Sequence, residues 1–248
     1  MVIYGRHPVR EALRANVKLR EVIIANGVRL SKDLSALIER NVRQVRVVTR
    51  KQLTQITNSD EHQGIAADIG EFPLHTVREL LQIALAPHCF CLAIDHIQDP
   101  RNAGSLIRSA EALGATGVIM TARRTVGITP AFVKASAGAC FHIPIAIGNL
   151  RRFAVRFKEH GGFVVALDMS GENIRDAQKA YPLLLVVGAE GKGISQSILN
   201  IADAVWCIPQ VGRIEALNAA VAGAIAMWEV VRDATCMHLA IHRPSSSA

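Results

Sequence analysis

Apolar residues along this chain alternate between two spacings: short unbroken runs, and stretches repeating at i, i+3 and i+4. The pattern predicts strands and helices taking turns. In the first seventy residues VIY (2–4), EVIIAN (21–26), VRQVRVVT (42–49) and HQGIAADI (62–69) read as strands. Between them lie three predicted helices. HPVREALRA carries Pro8 near its start, where a missing N–H costs nothing. Residues 31–41 have Ser31 as N-cap, and 51–57 form a shorter helix. The stretch 71–88 carries one helix, ended at Pro87. A second series begins at CLAID (91–95). It continues with a helix at 103–113, a strand at 117–120, a helix opened by Thr129-Pro130, a strand at 141–147 and a helix at 149–160. A strand at 163–168, a short helix near 173–179, a buried strand within 183–195, a last strand at 204–209 and a terminal helix at 216–233 complete it. Strands this apolar, alternating with helices, predict a parallel sheet covered on both faces. The expected fold class is α/β, with a small α/β unit over 1–72, a connector over 73–88, a larger domain over 89–235 and a tail, 236–248, without clear period.

Composition narrows the class. Half of the 248 residues are hydrophobic, enough to bury a core. No uncharged apolar run reaches the ~18 residues of a membrane span. The start, MVIYGRHPVREALR, lacks the apolar core of a secretory signal and the look of a transit peptide. Five cysteines (Cys89, Cys91, Cys140, Cys207, Cys236) fit neither a zinc site nor a disulfide framework. They read as reduced thiols of a cytosolic protein, and no metal is expected. The formal charge of +7 is uneven: the first 51 residues carry a net +8 and the remainder a net −1. A basic lobe beside a neutral one suggests that the first holds a polyanion, nucleic acid foremost. A solvated basic surface with no partner is the plain alternative.

Ligands of open α/β sheets sit past the carboxyl ends of strands. Three such ends are loaded with polar residues: HIQDPRNAGSLIR after CLAID, GAEGKGIS after LLLVV, and QVGRIEALNAA after VWCIP. Taken singly, each has an ordinary reading. Gly188, Gly191 and Gly193 suit a tight turn and match neither the dinucleotide fingerprint nor the P-loop. Glu190 and Lys192 suit solvated charges, Asn102 a helix N-cap, Arg108 a surface residue paired with Glu111, and Asn218 a polar residue in the first turn of the last helix.

Together they resemble a known family. Asn102-Ala103-Gly104-Ser105-Leu106-Ile107-Arg108-Ser109-Ala110 is similar to the first motif of the SpoU branch of the SPOUT methyltransferases, which act on RNA ribose 2′-hydroxyls. Gly188-Ala189-Glu190-Gly191-Lys192-Gly193 resembles the second motif. Ile208-Pro209-Gln210-Val211-Gly212, followed by Leu217-Asn218 and an Ala-rich helix, resembles the third. KASAGACFHIPI (134–145) is similar to a further family stretch. YGRHPVREAL and HQGIAA resemble the small RNA-binding domain of the enzymes that modify guanosine in large-subunit ribosomal RNA. The resemblance implies a deep trefoil knot, with the chain near 188–193 and 208–217 threaded through a loop. It implies S-adenosyl-L-methionine as cofactor, held largely by backbone at Gly188, Ile208, Gly212 and Leu217. It also implies a homodimer paired through the knotted domain and 23S-type ribosomal RNA as partner.

By the same resemblance Arg108 is the central catalytic arginine. Since a guanidinium stays protonated, we read it as holding a phosphate and stabilising the developing alkoxide. Asn102 is expected to position Arg108 and the ribose, and Glu190 to orient Arg108 or Asn218. One departure stands out. The family often reads Ser-Leu-Asn-x-Ser where this chain has Ala216-Leu217-Asn218-Ala219-Ala220. Guanosine 2′-O-methylation of large-subunit ribosomal RNA is the leading expectation. Transfer RNA methylation and a catalytically weakened RNA-binding or assembly factor are the alternatives; a nucleotide-binding oxidoreductase is more distant.

Overall fold

The computed structural model describes residues 1–213 and 216–238. Two sheets organise it. The first holds β1 (Val2–Tyr4), β2 (Glu21–Ala25), β3 (Val45–Val48) and β4 (Ile65–Asp68) in the order β1-β4-β2-β3. β4 runs antiparallel to both β1 and β2, while β2 and β3 are parallel. Helices α1 (Arg6–Arg14), α2 (Lys32–Asn41) and α3 (Arg50–Thr57) connect these strands. Ser31 caps α2 as expected, and Thr49 closes a capping box with Gln52 on α3. α4 (Val77–Ala84) lies in the connector, and its capping box pairs Thr76 with Glu79.

The second sheet is wholly parallel. Its strands are β5 (Phe90–Asp95), β6 (Val118–Thr121), β7 (Ile145–Gly148), β8 (Phe163–Asn173), β9 (Leu183–Gly188) and β10 (Ala204–Cys207), in the order β10-β8-β9-β5-β6-β7. Strand side chains alternate between two cores, which explains the unbroken apolar runs. Leu92, Ile94, Leu185 and Val187 face α5 (Pro100–Ala112), α6 (Pro130–Ala135) and α9 (Ala219–His238). Cys91, Ala93, Leu184 and Val186 face α4, α7 (Leu150–Glu159) and α8 (Gln196–Leu199). Two glycines let helices close on one another. A Cβ on Gly104 of α5 would lie 2.7 Å from the Phe132 carbonyl oxygen of α6, and one on Gly223 of α9 would lie 2.3 Å from Leu106.

Several expectations need correcting. The helix expected near 173–179 is absent. β8 instead runs on to Asn173, and its far end pairs with β10 after a register shift between Val205 and Trp206. The first motif's helix starts at Pro100 with Asp99 as its cap, accepting from the Arg101 N–H at 2.8 Å, so Asn102 sits inside the helix. The strand expected over 141–147 begins only at Ile145, because Ala139–Phe141 form a 3-10 turn. The terminal helix starts at Ala219, after Asn218 rather than around it. The short helix α8 was not expected. Of the tail expected over 236–248, residues 239–248 lie outside the described residues.

The two sheets share one core. Ile3, Val9 and Val22 of the first unit belong to the same buried cluster as Leu106 and Phe132. At the seam His142 Nε2 lies 3.0 Å from Glu11 Oε2, and Phe72 packs on Phe141 with ring centroids 5.4 Å apart.

His62 is fully buried in the first unit. Its Nδ1 accepts the Gly64 N–H at 2.9 Å and its Nε2 lies 3.2 Å from Thr54 Oγ1. Burial lowers its pKa, with Arg50 adding to the effect and Asp60 opposing it. A folded-state value below the ordinary ~6.5 means that the unfolded chain takes up this proton first. The contribution is therefore complete above about pH 6.5 and is lost as pH falls through the lowered value. We expect the thermal midpoint to fall between pH 7.5 and 5, and to fall less in His62→Asn, which keeps an acceptor for Gly64 but does not titrate. Parallel pH profiles for the two proteins in calorimetry would contradict this.

Candidate active site

The three loaded strand ends converge. β5, β9 and β8 are neighbours in the sheet, and β10 pairs with β8. The loops at their carboxyl ends therefore meet, although the sequence separates the first from the last by more than a hundred residues. The segment after β9 is pulled back toward β5 by Asp95. This residue is 1% exposed, and its Oδ2 accepts the Ser195 N–H at 2.8 Å. The sequence offered a signal for Asp95, an acid closing an otherwise apolar strand, that motif reading passed over.

Glu190 is the junction. Its Oε1 accepts Asn102 Nδ2 at 3.0 Å and the Ala219 N–H at 3.2 Å, and also accepts Asn218 Nδ2. Asn218 Nδ2 further donates to Asn102 Oδ1 at 3.0 Å. Asn218 Oδ1 accepts from the N–H groups of Ala220 at 3.0 Å and Val221 at 3.3 Å. Asn218 is thus the N-cap of α9, and a carboxylate rests at the same helix start, where the dipole favours negative charge. One oxygen atom ties α5, the β9 loop and α9 together.

A cavity of about 290 Å³ opens beside this junction. Gly188, Ile208 and Leu217 line it, with Glu190, as does Ala216. Gly212 does not; it is exposed nearby, with open space where a Cβ would stand. Residues the motifs did not single out also line it, among them Leu167, Asp168, Met169 and Trp206. Gly188 must be glycine, since a Cβ there would lie 2.3 Å from the carbonyl carbon of Gly193. Among the described residues the main-chain N–H groups of Ile208 and Leu217 have no hydrogen-bond partner. The buried indole N–H of Trp206 has none either. Unpaired donors around a small, largely apolar cavity suit a planar heterocycle recognised by main chain and one side chain.

Arg108 stands apart. It is exposed on the solvent face of α5, makes no hydrogen bond or ion pair among the described residues, and does not line the cavity. The expected pairings of Arg108 with Glu111, Asn102 or Glu190 are not formed; Glu190 is engaged with the two asparagines instead. Among the described residues no group of three His, Cys, Asp or Glu is placed to hold a metal ion. No helix there is long and apolar enough to cross a membrane.

The profile of the SpoU rRNA Methylase family matches residues 90–228, and that of the RNA 2′-O ribose methyltransferase substrate-binding family matches residues 2–75. A Bacillus subtilis (strain 168) protein named for the TrmH family of tRNA/rRNA methyltransferases is 35% identical over 93% of this chain and 94% of its own. An uncharacterized tRNA/rRNA methyltransferase of Mycobacterium leprae is 36% identical over 93% of this chain and 77% of its own. The crystal structure of an AdoMet-bound rRNA methyltransferase from Sinorhizobium meliloti superposes with a TM-score of 0.79 at 30% identity. That match covers 94% of this chain and 87% of the other. In fold alone, the AdoMet complex of AviRb from Streptomyces viridochromogenes matches with a TM-score of 0.80 at 24% identity, over 95% of this chain and 91% of its own.

The capping role of Asn218 can be separated from its side-chain amide. Asn218→Ala should cost about 1 kcal/mol as a lost cap, with more from the unmade contact to Glu190. Asn218→Ser, which still accepts from the α9 amides, should recover most of the capping part in denaturant unfolding. Equal losses in the two variants would show that capping is not what Asn218 contributes.

Proposed function

We propose that this chain, which belongs to the SpoU rRNA methylase family, methylates the ribose 2′-hydroxyl of a guanosine in 23S-type ribosomal RNA. The observation that carries the reading is the junction of Asn102, Glu190 and Asn218 at the mouth of a cavity walled by Gly188, Ile208 and Leu217. The cofactor is S-adenosyl-L-methionine, which supplies a methyl group on a sulfonium and needs no metal. The bare backbone at Gly188 and the unpaired N–H groups of Ile208, Leu217 and Trp206 fit its adenine; Gly212, beside the cavity, leaves room for its approach. A ribose hydroxyl is a weak nucleophile, so the protein must orient it and favour its ionised form. Asn102, held by Glu190 and Asn218, lines the opening that adjoins the cavity and positions that ribose. Arg108, permanently charged and without a partner among the described residues, holds the neighbouring phosphate and stabilises the developing alkoxide. Its position on the solvent face, off the cavity, suits contact with RNA rather than with the cofactor.

The first unit supports an RNA substrate. Arg6, Arg29 and Arg50 line one basic pocket there, and the family matched over 2–75 is a substrate-binding one. Ribosomal RNA is preferred over transfer RNA because YGRHPVREAL and HQGIAA resemble the domain used by the ribosomal enzymes. The relatives' names span both substrates, and transfer RNA methylation is the alternative. We further read the chain as a cytoplasmic homodimer with the trefoil knot implied at 188–193 and 208–217, of which 214 and 215 lie outside the described residues. Val221, Ile225 and Trp228 support the pairing: they form an exposed apolar stripe on α9 at helical spacing. A catalytically weakened assembly factor is disfavoured. Ala220 lacks a hydroxyl, yet its N–H is served by Asn218, and the junction of Asn102, Glu190 and Asn218 is formed without either serine.

The test supplies labelled S-adenosyl-L-methionine with undermodified ribosomal RNA and, separately, a transfer RNA pool. Label should enter ribosomal RNA. Arg108→Ala should lower the transfer rate about 10²- to 10³-fold, the scale of losing one charge-stabilising donor, with cofactor affinity unchanged. RNA binding without cofactor binding would support the assembly-factor reading instead.

A further inference from the structure

By charge counting the basic excess lies in the first 51 residues, but the larger domain has a concentration of its own. Beyond the carboxyl ends of β6 and β7 lies an open cleft of about 1040 Å³. Arg123 follows β6, and Arg151, Arg152 and Arg156 project from the first turns of α7; all four line it. Arg124 lines an adjoining opening of about 410 Å³. All five are exposed, and none of their guanidinium groups makes a hydrogen bond or ion pair among the described residues. Arg10, Arg14 and Arg46 are by contrast neutralised in place by Asp33, Glu11 and Glu21. The acids near the cleft do not offset the five. Asp95 is buried and engaged with the Ser195 N–H and with His96, which lies 2.6 Å from its Oδ1. Glu159 is the remaining carboxylate lining the cleft; in the opening lined by Arg124, Asp99 caps α5 and Glu190 is engaged with the two asparagines.

The cleft is continuous with the active site. The adjoining opening shares His96 and Ser195 with the arginine cleft, and Glu190 and Lys192 with the cavity beside Gly188; Asn102 lies within it. A cleft this wide and open, set with four planar cations, does not suit a small metabolite. Guanidinium groups spread along a path fit successive phosphates.

We propose that Arg123, Arg124, Arg151, Arg152 and Arg156 bind the sugar-phosphate backbone of the RNA strand flanking the methylated nucleotide. This surface lies on the catalytic domain and is separate from the basic pocket of the first unit. It rests on the reading of the chain as an RNA methyltransferase. Each single-strand phosphate neutralised contributes roughly 0.7 to the slope of log affinity against log salt.

The experiment compares the full chain with its Arg151→Gln/Arg152→Gln/Arg156→Gln variant. An unmodified large-subunit ribosomal RNA transcript is the binding probe, titrated at several salt concentrations. S-adenosyl-L-methionine affinity, by calorimetry, reports an intact fold and cavity. The variant should bind the transcript roughly 100-fold more weakly at 0.1 M salt, with the slope reduced by about two and cofactor affinity unchanged. A variant with the wild-type slope and affinity overturns the proposal and leaves the enzymatic reading standing. A wild-type chain that binds cofactor but no RNA overturns both. Loss of cofactor affinity in the triple variant sends the same measurement to Arg123→Gln/Arg124→Gln, where an unchanged slope counts against the proposal.

Discussion

A single carboxylate oxygen holds three distant parts of this chain in one place. Glu190 Oε1 receives the Asn102 amide from α5, the Asn218 amide and the first main-chain N–H of α9. The carboxylate is exposed, so each of these bonds is worth on the order of 1 kcal/mol in net terms. Their importance is geometric. They set where the β9 loop ends and where α9 begins, and the cavity lies between those two segments. The loop can come close enough only because Gly188 carries no side chain against Gly193. The buried Asp95 anchors the same loop from the other side through Ser195.

Much of this was legible in the sequence. Unbroken apolar runs such as LLLVV predicted a parallel sheet covered on both faces, and Leu184 and Leu185 indeed enter opposite cores. The motifs located Asn102, Glu190 and Asn218, which the structure brings within hydrogen-bond distance. Their mutual roles were less legible, because spacing along a chain carries no information about which polar atoms meet. Of the two partners expected for Glu190, Asn218 is held and Arg108 is not, and Asn102 joins the pair. Local propensity also misread residues 173–179: β8 is prolonged by pairing with β10, a contact between segments some thirty residues apart. The unexpected lining residues, Asp168 and Trp206, lie inside β8 and β10, ahead of the motif residues or on a strand that carries none.

The arginines at the ends of β6 and β7 escaped notice for another reason. A net charge averaged over most of a chain cancels local clusters; of the larger domain's acids, Glu159 and the buried Asp95 are the two that line the arginine cleft. Lys158, for instance, is paired with Asp203 at 2.8 Å, whereas the neighbouring Arg151, Arg152 and Arg156 have no partner among the described residues. The first unit shares its core with the larger domain and meets it at His142 and Glu11. RNA held by the first unit and RNA held by the arginine cleft would therefore be held by one packed body, with the catalytic junction on the larger domain.

The central claim is that the reacting atom is a ribose oxygen. Ribosomal RNA treated with the chain and isotopically labelled S-adenosyl-L-methionine can be digested to nucleosides and fragmented by mass spectrometry. The account predicts the labelled methyl on the sugar fragment of guanosine. A labelled methyl on the base fragment, or cofactor binding with no methyl delivered to any RNA, would contradict it.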